Sequence, residues 1–565
     1  MTELRIQASA WKLIGPLAAL LVFRTPFTSP QTDVIELPQL TIIAGSEQRQ
    51  TTDEFSQALA NNVTFRTRSE LESSQYSNIN NFLRGTPGIS VFRGSEGRGV
   101  GLRVRGVSAA QGVVTFDGVP LLTALPGLSW LDTIPAEALG SVSVVLGSGH
   151  AYYSGQGIAG SIHLNSKRAL ENYGLAHVEG GSFGTFRTTL SGGLKTTRAD
   201  LSVTGSRVNQ FDGAYDAIPN RGNPERDPFG STLGIARYGA RLTPDLSVNG
   251  SLLYKDSWQD ADLPSVTPTG LPTFVDSATT EFHERLWLTQ HTASARLTEN
   301  WTTQLQLAYT ENDIAARAGR LSVSFRSQLM FADWRNVQIL SDDPLRQQYW
   351  RLVWGGQARY ERGENNHILL PSPSLDERKT VTGFAELQAD LGRWHHEAGI
   401  RFEHHDDYGS HTLLHFGSRW DPSPALSLRA KAGTGFRAPS YGELLIPLLS
   451  NPALEPEKGL TADIGFDWTP TRDLRFSLTG YYGRYNDLLT SQVAVGRFVG
   501  VSRIARRQYS RSPVDFTSRR GAFCRAQQHT AGAHRRSGGF DRSPLVGTNP
   551  KRFGFHISIQ SQSRY

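Results

Sequence analysis

The residues with the most obvious chemical capacity are six histidines between positions 395 and 415: His395, His396, His404, His405, His411 and His415. Imidazoles at that density suggest a divalent-metal site. Neighbouring residues on a strand point to opposite faces, however, so each His-His pair offers only one ligand to any single site. The glycine clusters GSEGRGVG (94–101) and GSGHAYYSG (147–155) invite a phosphate-cradling reading, yet neither has the spacing of such a loop or opens a periodic helix. They read as tight turns where only glycine fits. No nucleophile, general base or acid pair converges elsewhere, so the expectation is a non-enzyme without metal or cofactor.

The elements that carry these residues are strands. The chain has 565 residues, 56 glycines, 10% aromatics, two methionines and one cysteine, Cys524, which excludes a disulfide framework and a thiolate metal cluster. From about residue 172 onward polar and apolar residues alternate. In DLSVNGSLLY, Leu246, Val248, Leu252 and Tyr254 share one face and Ser247, Asn249 and Ser251 the other; in TADIGFDW, Ala462, Ile464, Phe466 and Trp468 oppose Thr461, Asp463 and Asp467. EAGIRFE and DLRFSLTG sort in the same way. Period two fits a soluble sandwich or a membrane barrel equally well. Connection lengths favour the barrel: short turns at 243–245, 298–300, 391–393 and 469–473 interleave with long polar segments near 211–230, 257–278, 363–377 and 438–458. Trp258, Trp301, Trp394, Trp420, Trp468, Tyr481 and Tyr482 gather near strand ends, as an interfacial girdle would place them.

Ahead of the strands, residues 76–165 read as a compact α/β unit within a domain assigned to 51–168. YSNINNFLRGTPGISV predicts a short helix stopped at Gly85 and Pro87, then a strand; Asp117-Gly118 is a hairpin-turn signal; IPAEALGSVSVVLGS predicts a short helix and another strand. The apolar run LIGPLAALLVF (13–23) after Arg5 and Lys12 has the length of a secretory signal core, assigned to residues 1–30.

NFLRGTPGISV, LRVRGV, VVTFDGVPL and YYSGQGIAGSIHLNSK, in that order, together with GTGFRAPSYGELLIP and NPALEPEKG, resemble the TonB-dependent outer-membrane receptors over roughly residues 33–500. The resemblance implies a mainly β fold: a transmembrane antiparallel β-barrel of the 22-stranded type, here incomplete, at 169–500 with about 15–16 strands, and an N-terminal α/β plug domain. It implies a TonB box within 31–50, at Gln39, Leu40, Thr41, Ile42, Ile43 and Ala44, and a plug lock at Arg105-Gly106. Its partners would be the TonB energy-transducing protein, a metal-chelate ligand and outer-membrane lipid, with no nucleic acid; its place, the cell outer membrane. The implied activity is energised uptake of an iron-siderophore, with cobalamin or another nutrient chelate as the alternative. The family has an acidic residue and an Arg-Gly pair where this chain has Ser143 and Leu146, so the lock is expected to be weakened, because a buried arginine lacking its acidic partners is costly.

Residues 501–565 stand apart. They hold 12 Arg and one Lys against two acids, leaving 45 basic and 50 acidic residues before them, so the overall net charge of +6 comes from this segment alone. A change of reading frame near 499–503 is the preferred explanation, leaving a relic that inserts poorly; a genuine cationic arm and divergent strands are the alternatives, the latter kept open by the alternation of KRFGFHISIQSQSRY. Two other classes remain in play: a passive porin, and a soluble β-rich protein binding polyanions through its cationic arm.

Overall fold

The computed structural model describes residues 62–73, 79–96, 98–108, 112–121, 128–129, 131–147, 157–211, 228–260, 263–266, 272–275, 280–318, 321–367, 374–445, 453–471, 474–494, 497–503 and 551–561. Two bodies of structure dominate them. The smaller is a five-stranded sheet whose spatial order is Asn62–Thr67, Leu139–Leu146, Gly160–Ser166, Gly112–Phe116, Val119–Pro120. The pair 112–116 and 160–166 is parallel and the rest antiparallel. The helix Ile79–Arg84 covers this sheet and buries Ile79, Phe82 and Leu83; its end at Gly85 precedes Gly88, whose φ of +80° requires glycine.

The larger body is an antiparallel sheet of sixteen strands in sequential order. Fifteen of them run from Tyr173–Gly181 to Leu474–Asn486, and the sixteenth is Lys551–Ser561. Alternation sets the two faces. Along Ala199–Gln210, Asp200, Ser202, Thr204 and Ser206 are buried inside while Leu201 and Val203 are exposed outside. Leu190, Phe402, Phe416 and Ile464 continue the outward apolar surface. Aromatics ring that surface near the short-turn end, where Trp334 meets Trp354 at 5.3 Å, Trp394 stacks on Trp420 at 5.3 Å and Trp468 on Phe476 at 5.5 Å. Towards the other end Tyr254 and Trp287 pack at 4.5 Å. This is a transmembrane barrel wall: in hydrocarbon every strand must satisfy its backbone through its neighbours.

Five differences from the sequence reading stand out. Tyr481 is turned inward, because it is paired directly with the lumenal Asp463. The segment near 363–377 is shorter than a long loop, since strands continue to His367 and resume at Ser374, and a hairpin of Leu263–Val266 with Pro272–Val275 occupies part of the one near 257–278. Leu489–Ala494 and Arg497–Arg503 form their own two-stranded hairpin rather than beginning a further barrel strand. The sixteenth strand comes from inside the segment set apart as anomalous: KRFGFHISIQS has the period of two that a strand needs and registers Phe553 opposite Tyr482 and Ile559 opposite Phe476.

The lumen is not uniformly polar. Leu233, Ile235, Leu253, Leu286, Leu288, Leu329 and Phe331, from four barrel strands, join one buried cluster with Phe116, Val119, Val142, Val144 and Leu164 of the small sheet. The small domain therefore shares its core with the barrel wall. On another side the fit is steric. A Cβ at Gly435 would stand 2.9 Å from the Ile158 Cα, and one at Gly459 would overlap the Ile158 side chain. Gly435→Ala is expected to destabilise the folded protein by about 1–3 kcal/mol by forcing backbone apart, read as a lower urea midpoint by circular dichroism. An unchanged midpoint would show that this contact is slack.

Candidate functional site

Where the small domain meets the barrel, charged side chains cross the boundary. Arg105 belongs to a tight turn, with φ of +52° at Arg105 and +79° at Gly106, that directs its guanidinium outward. It donates to both carboxylate oxygens of Asp463, at 2.5 Å from Nη1 and 3.0 Å from Nη2, and its Cζ lies 4.6 Å from the Tyr481 ring centroid. Both side chains of the ion pair are buried. The expected weakening of the lock is thus corrected: the carboxylate absent from 139–146 is supplied by the barrel strand Glu457–Thr471. Lys431 of the adjacent strand donates 2.6 Å from its Nζ to the Leu146 carbonyl and lies 3.7 Å from Asp463. Gly147, with φ of +80°, is where these three side chains converge; a Cβ there would meet Arg105, Asp463 and Lys431 within 3.5 Å.

A second crossing uses the hairpin turn at Asp117-Gly118, with φ of +47° and +84°. The Asp117 carboxylate accepts from the Ser166 backbone N–H at 2.8 Å and its hydroxyl at 2.7 Å, and from Nη1 of the barrel residue Arg237 at 3.1 Å. Gln306, from another barrel strand, donates to the Asp117 carbonyl at 2.9 Å. Arg168 adds a third crossing to Asp200 at 2.7 Å.

At the long-loop end, the segment after Arg437 turns back over the barrel mouth. Its short helix Tyr441–Leu445 buries Tyr441, Glu443 and Leu444. Arg437 bridges two carboxylates, donating to Glu443 at 2.9 and 3.0 Å and, through Nε, to Glu457. Arg378 lies 5.2 Å from the ring centroids of both Tyr408 and Tyr441 and donates to the Pro439 carbonyl at 3.2 Å. Burial pushes the Glu443 carboxyl up, but the Arg437 charge and the hydrogen bonds from Arg437 and Ser440 outweigh it and hold the group below the ordinary carboxylate range. Burial raises the Tyr408 phenol, with the charge of Arg378 acting in the opposite direction.

The histidines do not assemble. His395 lies between Asp390 and Asp421, the His415 Nε2–H donates to the Glu397 carboxylate at 2.6 Å, and His405 and His411 flank Phe436. Among the described residues no group of three potential ligands forms a metal site. Residues Gln39, Leu40, Thr41, Ile42, Ile43 and Ala44 and the N-terminal apolar run lie outside the described residues. Sequence reasoning missed Asp463, Lys431 and Arg237 as crossing partners; a single acid or base on the lumenal face of an alternating strand was the only signal each carried.

Comparison with known proteins gives the arrangement its relatives. The family model "TonB dependent receptor-like, beta-barrel" matches residues 181–538, and "TonB-dependent Receptor Plug Domain" matches residues 56–161. The vitamin B12 transporter BtuB of Photobacterium profundum is 23% identical over 451 residues, covering 78% of this chain and 70% of the relative; that of Vibrio cholerae is 22% identical over 465 residues, covering 80% and 71%. Among solved structures, the siderophore receptor PirA of Acinetobacter baumannii superposes with a TM-score of 0.62 at 15% identity, covering 78% of this chain and 74% of that one. The hemophore receptor HasR of Serratia marcescens reaches 0.64 at 14% identity, covering 81% and 78%.

Two outcomes test the geometry. Asp463→Ala leaves Arg105 buried without its carboxylate and is expected to cost about 3–5 kcal/mol, seen as faster limited proteolysis of the small domain; unchanged proteolysis would mean that the pair is solvated. Because the Glu443 carboxyl is depressed in the folded protein, its contribution is present above the unfolded-state value, about 4.3, and is lost as pH falls below it. Cleavage within 438–456 should therefore accelerate in acid, and Glu443→Gln should show the accelerated rate at neutral pH and flatten the dependence.

Proposed function

The chain belongs to the TonB-dependent receptor family, and on that premise we propose that it is an energised receptor of the cell outer membrane that takes up a scarce metal chelate. The observation that carries this reading is a plug sharing a core with the barrel wall yet held on its other side by a buried ion pair, Arg105 to Asp463. A plug that must open on demand and stay shut otherwise needs contacts that are stable only as a matched set, and a buried pair has that character: removing either partner leaves an uncompensated charge. The folded-back segment at 438–445, fixed by Arg437, Glu443 and Glu457, supports a shaped outer mouth. A passive porin has no use for either feature.

In this reading cargo binds at the mouth and the plug's outer loops. The segment containing Gln39 to Ala44 then reaches the TonB protein and adds a strand to it, a mode of pairing that grips short segments through backbone hydrogen bonds alone. Traction on that segment is transmitted through residues 47–61 to the plug. No group on the chain forms or breaks a covalent bond in this cycle. A ferric siderophore is the leading cargo class. Cobalamin is the second reading, favoured by the sequence relatives, which are vitamin B12 transporters.

The test is uptake of radiolabelled ferric siderophores and of labelled cobalamin by cells lacking their own receptors and expressing this chain. Accumulation of one label that stops on deletion of residues 39–44 is the expected result. Accumulation that persists after the deletion would make the chain a passive pore, and accumulation of neither label would overturn the cargo class.

A further inference from the structure

The plug is attached to the barrel by two unlike surfaces, and their positions relative to the N-terminal strand assign them different duties. The far edge of the plug sheet, 112–120, carries the Asp117 turn, which Arg237 and Gln306 hold from the barrel. Beside it lies the apolar wall of Leu233, Ile235, Leu253, Leu286, Leu288, Leu329 and Phe331. The near edge is the strand Asn62–Thr67, paired with Leu139–Leu146. Its first residue, Asn62, stands opposite Leu146, the last residue of its partner. Leu146 is the residue whose carbonyl receives the Lys431 ammonium, and Gly147 next to it lies against Arg105 and Asp463.

From this juxtaposition we propose that Lys431 is the positioning residue that latches the traction-bearing edge of the plug, and that the plug opens along its seam with strands 426–437 and 457–471 while its far edge stays docked. Three observations carry the assignment. The first rung met by traction on the chain before residue 62 is Asn62 to Leu146, so loading begins at the latched end of the strand. Lys431 is a barrel side chain hydrogen-bonded to plug backbone, so it fixes the position of the strand end and not merely a neighbouring side chain. Asp463 is shared between Arg105 and Lys431, so the seam holds two buried cations on one carboxylate. Losing the carbonyl contact takes a charge-assisted hydrogen bond from a buried ammonium, which makes release costly at that point. The far edge adds to its own ion pair, Asp117 to Arg237, apolar burial over seven barrel side chains, which weakens gradually and without directional requirement.

The inference rests on the receptor reading for its meaning but not for its test, which needs neither cargo nor TonB. Amide hydrogen exchange is followed by mass spectrometry on the full chain folded in detergent, as wild type, Lys431→Met and Lys431→Arg. Lys431→Met should speed exchange in 62–67 and 139–147 by about ten- to a hundredfold, the equivalent of one charge-assisted hydrogen bond, while 112–120 and 160–166 keep wild-type rates. Lys431→Arg, which retains the donor and charge, should restore most of the protection. Unchanged exchange, or acceleration spread evenly over 62–67 and 112–120, overturns the proposal. A failure of the uptake assay would remove the receptor function and leave this exchange pattern standing.

Discussion

Hydrocarbon offers no partner to a backbone N–H or C=O, and that constraint governs the whole molecule. It is why the spanning wall is built from strands paired to neighbours on both sides, why those strands alternate, and why their outward faces carry leucine, isoleucine and phenylalanine while the inward faces carry threonine, serine and charge. Paired strands of this number enclose a space far too large for their own side chains to fill. A lumen of that width stands open to water unless something fills it, and here the plug is its occupant. The constraint bears hardest on the outer edges of Tyr173–Gly181 and Lys551–Ser561, which pair with no further strand among the described residues. Each orphaned group in lipid costs several kcal/mol, so whatever meets those two edges is as much a part of the fold as the ladder between them.

Within the lumen, two kinds of force divide the labour of seating the plug. Apolar contact with the wall is strong in aggregate and tolerant of small displacements. The ionic seam contributes little net stability, because desolvating Arg105, Asp463 and Lys431 offsets most of their attraction, yet it is intolerant of displacement. Apolar strength added to the Asp117–Arg237 pair on one side, and the ionic seam on the other, give a part that stays with the barrel and a part that lets go sharply.

Much of this was legible in the sequence and the rest was hidden for identifiable reasons. Period two exposed the strands, and connection lengths separated the two ends, because turn geometry and alternation are local properties. The Asp117-Gly118 turn was visible as a turn, but its role in docking depends on Arg237 and Gln306, 120 and 189 residues away. Asp463 was sorted correctly to the polar face of TADIGFDW without its partner, since nothing local distinguishes a carboxylate facing a plug arginine from one facing water. The apolar wall did leave a trace. SLLY at 251–254, LWL at 286–288 and LMF at 329–331 break the alternation by placing apolar residues on both faces, and such breaks mark where a strand has protein on one side and lipid on the other. The arginine-rich composition of the final segment masked a strand because composition averages over a stretch that alternation resolves residue by residue.

The mouth clamp and the plug latch share one pair of strands. Arg437 stands directly opposite Glu457 at the outer end of the ladder between 426–437 and 457–471, and Lys431 directly opposite Asp463 six residues further in. Six residues of strand span about 20 Å, and the ladder between them is continuous in register. Over this stretch the pair keeps Leu474–Asn486 as a neighbour on one side and, up to Gly433, Gly409–Ser423 on the other, so it bends far less readily than the loop above it or the turn below it. The charges that fix the outer loop and those that fix the plug are therefore held at a constant separation on one stiff element. Both sets are drawn from the same pair of neighbouring strands, so the mouth and the plug share one stiff frame.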